Sequence, residues 1–77
     1  MTPYRDTDGN SGIQAFDSWP DWIRIQFKKG GVYEYRASHI GLVHLEALKR
    51  LAAAGSGLST YINQHTEVKT SAIKLSA

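Results

Sequence analysis

The chain has 77 residues, no cysteine, 42% hydrophobic and 21% charged residues, and a formal charge of +2. A chain this short holds one core, and without cysteine it has neither disulfides nor a thiolate zinc site, so packing alone must support the fold. Nothing approaches the run of about 20 apolar residues that a membrane span needs. The opening Met1-Thr2-Pro3-Tyr4-Arg5-Asp6 lacks the basic and apolar regions of a secretory signal, which sets a cytoplasmic expectation. The charge is unevenly spread. Asp6, Asp8, Asp17 and Asp21 precede all of the cations except Arg5, so the later part of the chain is more basic than the total suggests.

Residues 1–11 are polar and carry the turn-rich string Asp8-Gly9-Asn10-Ser11-Gly12, which reads as a flexible lead without packing duty. Residues 12–16 are compatible with a short strand. Asp17-Ser18-Trp19-Pro20-Asp21 then reads as a turn, with proline fixing φ and the Asp side chains bonding their own backbone. Over 22–28, Ile23, Ile25 and Phe27 alternate with Arg24, Gln26 and Lys28, the period of a half-buried strand. The alternation resumes over 32–37 with Tyr33 and Tyr35. Pairing 27 with 33 and 25 with 35 makes Lys29-Gly30-Gly31 the hairpin loop, with glycine for its left-handed position. The same pairing sets Arg24 opposite Arg36, an unfavourable neighbourhood that Glu34 and Gln26 are placed to relieve diagonally.

The periodicity predicts a main helix over 38–54 with Ser38 as its N-cap and Gly55-Ser56-Gly57 as its stop. A second helical turn follows over 58–63. The tail, 65–77, reads as mobile or weakly ordered. The expected fold is α+β: a three-stranded antiparallel meander packed on one main helix, with a short second helix and a single domain spanning 12–64. Its expected core is Ile13, Phe16, Ile23, Ile25, Phe27, Tyr33, Tyr35, Ile40, Val43, Ala47, Leu48, Leu51, Leu58 and Ile62.

The string Ile13…Phe16-Asp17, Ile23-x-Ile25-x-Phe27, Gly30-Gly31-Val32-Tyr33-Glu34-Tyr35, a helix and Gly57…Tyr61-Ile62-Asn63 resembles the KTSC domain. That small family is named for copies at the C-terminus of some lysyl-tRNA synthetases, and many members are free-standing bacterial or phage proteins. The resemblance covers roughly residues 11–64. Three departures stand out: a longer stretch between Tyr35 and the helix, a junction only approximated by Ala54-Gly55-Ser56-Gly57, and no Arg-rich segment after Asn63. The resemblance implies a fold more than a biochemical role.

No catalytic constellation is visible. His39 and His44 lie roughly 140° apart around a helix and cannot share a ligand face, so no metal is expected. His44 reads as a core or rim histidine with one hydrogen bond. Gly55-Ser56-Gly57 lacks the spacing and the preceding strand of a nucleophile elbow. The expectation is a non-catalytic binding module without cofactor. Trp22, Arg24, Lys28, Lys29 and Arg36 are the candidate binding residues, since a cationic sheet face with an aromatic group suits RNA. The synthetase association of the similar family adds tRNA by analogy. The alternatives are an acidic protein surface, or a homodimer formed through an exposed edge strand or tryptophan.

Overall fold

The computed structural model describes residues 1–7, 9 and 11–76, with Ser76 described by its backbone alone. Asp8 and Asn10, within the expected turn-rich string, lie outside the described residues, as does Ala77. The elements run β1 (Thr2–Pro3), β2 (Ile13–Trp19), β3 (Trp22–Phe27), β4 (Gly31–Arg36), α1 (Ala37–Ile40), α2 (Leu42–Ala54), α3 (Leu58–Gln64), α4 (Thr66–Thr70) and β5 (Ile73–Ser76). The strands form one antiparallel sheet in chain order, and the helices supply the apolar partners for its inner face. The α+β class is as expected, but the sheet has five strands among the described residues where three were anticipated.

Both ends of the chain correct the expectation. Thr2–Pro3 pairs with Ala15 and Phe16, and Tyr4 is buried, its hydroxyl accepting a hydrogen bond from the Leu58 N–H at 3.4 Å. Gly55 caps α2 with φ +74°, and an added Cβ there would meet the Arg5 Cβ at 2.7 Å. Only glycine therefore fits both the helix end and the strand of lead that crosses it. At the other end, α4 buries Val68 and β5 pairs with β4. The tail was hard to read because its apolar residues are few and change period midway, from helix to strand.

The β2–β3 turn is Pro20-Asp21 alone, so Asp17 and Trp19 are strand residues and not turn residues. A register shift between Ile13 and Ala15 inserts one extra residue in β2, which lets Ile13 and Phe16, three positions apart, both reach the core. The β3–β4 register differs by two from the expected one. Ile25 pairs with Tyr33 and Ile23 with Tyr35, the loop is Lys28-Lys29-Gly30, and Gly31 takes the left-handed position at φ +83°. A shift of two keeps every side chain on its face, so the inner residues are unaffected.

The expected continuous helix is interrupted at Gly41, whose φ of +84° and ψ of 157° belong to a region that is essentially glycine's alone. The first segment starts at Ala37 after Arg36, so Ser38 is inside the helix and not its cap. In α2 the buried row is Leu45, Leu48 and Ala52, with Ala47 beside it. Val43 lies roughly 160° from Leu45 around the helix and is 83% exposed, so it leaves the core, and Leu45 enters it. Phe27, Tyr33 and Leu51 are only partly buried at its margin.

These placements predict opposite outcomes for two valines. Val68→Ala should cost about 1.5–3 kcal/mol, from lost transfer free energy and a residual cavity. Val43→Ala should change stability by less than about 0.5 kcal/mol. Urea denaturation of both variants checks this, and equal effects would contradict the assignment of the tail to the core.

Candidate functional site

The outer sheet face, opposite the helices, gathers most of the candidate residues. The pleat places Trp22, Arg24 and Gln26 of β3 beside Val32, Glu34 and Arg36 of β4, with Asp17 and Trp19 of β2 on the other side. Because of the two-residue register change, Arg24 faces Glu34 and Arg36 faces Trp22. The expected Arg24–Arg36 opposition is thus corrected, and the reason is visible in the charges: this register sets a carboxylate between the two cations in place of a like-charge pair.

Glu34 is only 2% exposed. Its Oε1 accepts a hydrogen bond from Arg24 Nε at 2.8 Å, and its Oε2 accepts one from Arg36 Nε. Burial pushes the Glu34 carboxyl up, but the hydrogen bonds from Arg36 and Arg24 and their charges outweigh that and hold it below the usual 4.5. The Nη groups of both arginines make no hydrogen bond with the described residues, and both side chains are about half exposed. The Arg24 guanidinium sits 4.3 Å from the centroid of the Trp22 ring, and Trp22 stacks on Trp19 at 5.6 Å. Trp19 is 55% exposed. A shallow polar cavity of about 380 Å³, lined by Asp21, Trp22, Arg24, Glu34, Arg36 and Ser38, opens over this group.

Of the five residues singled out from sequence, the sheet therefore brings Trp22, Arg24 and Arg36 together. Lys28 lies at the hairpin loop, where its Nζ is 3.6 Å from Asp6 Oδ2. Burial pushes Asp6 up, but bonds from Ser11 and the pull of Lys28 leave it below the usual 3.8. Lys29 is exposed at the loop tip with no ion pair among the described residues. The face is less cationic than expected, because Glu34 offsets one of its two arginines. The sequence offers Trp19 only as an alternative anchor to Trp22, and Glu34 only as diagonal relief for the arginines; neither is among the five candidate residues. Extending β2 to the two-residue turn would have put Trp19 opposite Trp22. Glu34's position, two residues before Arg36 on one face, was the signal for the second.

The histidines form a separate group. His44 Nδ1 and the Tyr61 hydroxyl are 2.7 Å apart, in keeping with the expected rim histidine. His65 Nδ1 donates to the Tyr61 carbonyl at 2.8 Å while its ring stacks on Tyr61. Among the described residues no group of three His, Cys, Asp or Glu side chains is placed to hold a metal ion, and no helix is long and apolar enough to cross a membrane. No family model, curated protein or solved structure matches the chain.

The lowered Glu34 value has a definite sign. Its contribution to stability is present above the unfolded-state value near 4.5 and is lost as pH falls through the lower folded-state value. Glu34→Gln should therefore lower stability at neutral pH by about 1.5–3 kcal/mol and flatten the acid limb of the profile. Thermal melts across pH 3–7 read both effects, and an unchanged acid limb would contradict the bridge.

Proposed function

We propose that this chain is a non-catalytic accessory module, of the KTSC type that residues 11–64 resemble, and that it binds single-stranded RNA on the outer sheet face. The observation that carries this reading is the tethering of Arg24 and Arg36 to Glu34 through Nε alone, beside the Trp19–Trp22 stack. A guanidinium held at Nε is fixed in its plane while both Nη groups still point donors outward, the arrangement that suits a phosphate. An exposed indole next to it offers a base a stacking surface, and stacking tolerates any sequence. Trp19, Arg24 and Arg36 carry the binding, Trp22 supports Trp19, and Lys29 adds a charge at the loop tip.

The balance of charge sets how such binding behaves. With two or three phosphates neutralised, the log–log dependence on salt has a slope of only about −1.4 to −2.1. Stacking then supplies most of the affinity. A second reading, an acidic protein segment on the same arginines, is favoured by the exposed Trp19 and the two half-exposed guanidiniums, residue types that anchor protein interfaces. The edge-strand homodimer has a smaller edge to use, since β5 pairs with 32–34 of β4, β1 pairs with Ala15 and Phe16 of β2, and the outer strands β1 and β5 are short.

Tryptophan fluorescence titration with a short unstructured RNA, at several salt concentrations, tests this. The proposal expects quenching, a shallow salt slope, and a loss of about 1–3 kcal/mol of binding in Trp19→Ala. Absence of binding at low salt, or binding indifferent to Trp19 and Arg36, would overturn it and leave the acidic protein segment.

A further inference from the structure

A second concavity lies on the opposite face of the sheet, between the inner side of the β3–β4 hairpin and the helices α3 and α4. Its volume is about 290 Å³, and it is lined by Phe27, Tyr33, Tyr35, Ser59, Ile62, Asn63, Lys69 and Ala72. It plays no part in the proposed RNA face. The walls are aromatic and aliphatic, with polar groups only at a few points, the composition of a small-molecule site.

Three observations specify what it would hold. Among the described residues Lys69 is the one charged side chain in the lining, and it is exposed with no ion pair. Lys74 adds a second cation nearby, its Nζ 5.9 Å from the centroid of the Tyr33 ring, and among the described residues no carboxylate lines the site. Tyr35 is 3% exposed yet lines the cavity, and its hydroxyl has no hydrogen-bond partner among the described residues. The hydroxyl oxygen is not itself among the fully buried unpaired atoms, so it is open to the cavity and free to donate to a group bound there. Burial, and then the neighbouring Tyr33, push Tyr35 up to about 12, so it stays a neutral donor at any physiological pH. The site therefore presents donors and positive charge around an apolar floor.

We propose that this cavity binds a small monocarboxylate with an apolar body, its carboxylate meeting Lys69 and its body lying against Phe27, Tyr33 and Ile62. The volume corresponds to roughly ten waters at ~30 Å³ each, which limits the ligand to about ten non-hydrogen atoms. Arylacetates and medium-chain fatty acids have this size and this polarity. Ligands so small bind with dissociation constants on the order of a millimolar.

The test is a ¹⁵N–¹H NMR titration of the full chain with phenylacetate, octanoate and the neutral phenylacetamide. The expected result is saturable shifts of the Tyr35, Ile62, Asn63 and Ala72 amides with both acids, and at least fivefold weaker binding of the amide. Lys69→Met keeps the apolar stem at an exposed position, so the fold is retained. It should weaken phenylacetate to the level of phenylacetamide and leave phenylacetamide unchanged. The proposal is overturned if the cavity amides do not move at ten times the expected dissociation constant, or if acid and amide bind alike. Acid selectivity that survives Lys69→Met, or shifts confined to Arg24 and Arg36 on the other face, would overturn it as well.

Discussion

One carboxylate organises the outer side of this domain. Glu34 sits on the solvent face of a sheet yet is almost fully buried, held between the Nε groups of Arg24 and Arg36. A buried charge left unpaired would be strongly destabilising, so the pair of arginines is a condition of the β3–β4 register and not an ornament on it. The hairpin supplies the geometry. Gly31 takes the left-handed turn position, the loop closes over Lys28-Lys29-Gly30, and Glu34 falls opposite Arg24. Had the register been two residues longer, the inner face would have been equally apolar, but the arginines would have faced each other. The outer face, not the core, distinguishes these two registers.

The same residues explain how a cysteine-free chain of this length holds together. The inner face of the sheet meets the Leu45–Leu48–Ala52 row of α2, and the chain ends complete the core from either side. Tyr4 brings the lead onto α3, while Val68 brings in the segment that returns as β5. Each end also covers part of a strand that would otherwise be an open edge: β1 pairs with Ala15 and Phe16 of β2, and β5 with 32–34 of β4. Neither new outer strand offers a long edge to another chain.

Much of the architecture was legible where periodicity was strong. The alternation through Ile23, Ile25, Phe27, Tyr33 and Tyr35 identified the hairpin and its inner face, and Gly55 marked the end of α2. What could not be read depended on contacts distant in sequence. Tyr4 is an isolated aromatic in a polar lead, and only its packing near Leu58 makes it a core residue. Val68 lies in a five-residue helix, too short for a periodic pattern. Val43 shares the apolar composition of α2 but not its buried row, and the break at Gly41 hides behind residues that otherwise read as helix. The outer face was half legible. Trp22, Arg24 and Arg36 follow from strand alternation, whereas the role of Glu34 depends on a two-residue choice of register that hydrophobic pattern leaves degenerate.

The most direct measurement is the titration of the Glu34 side-chain carboxyl by ¹³C NMR, in the native chain and in an Arg24→Gln, Arg36→Gln variant. The bridge requires a native value below the usual 4.5 and a rise above it when both arginines are removed, since burial alone pushes a carboxyl up. A native Glu34 that titrates at its ordinary value, unmoved by loss of the arginines, would mean that the carboxylate is solvated. The register, and the arginine face built on it, would then be wrong.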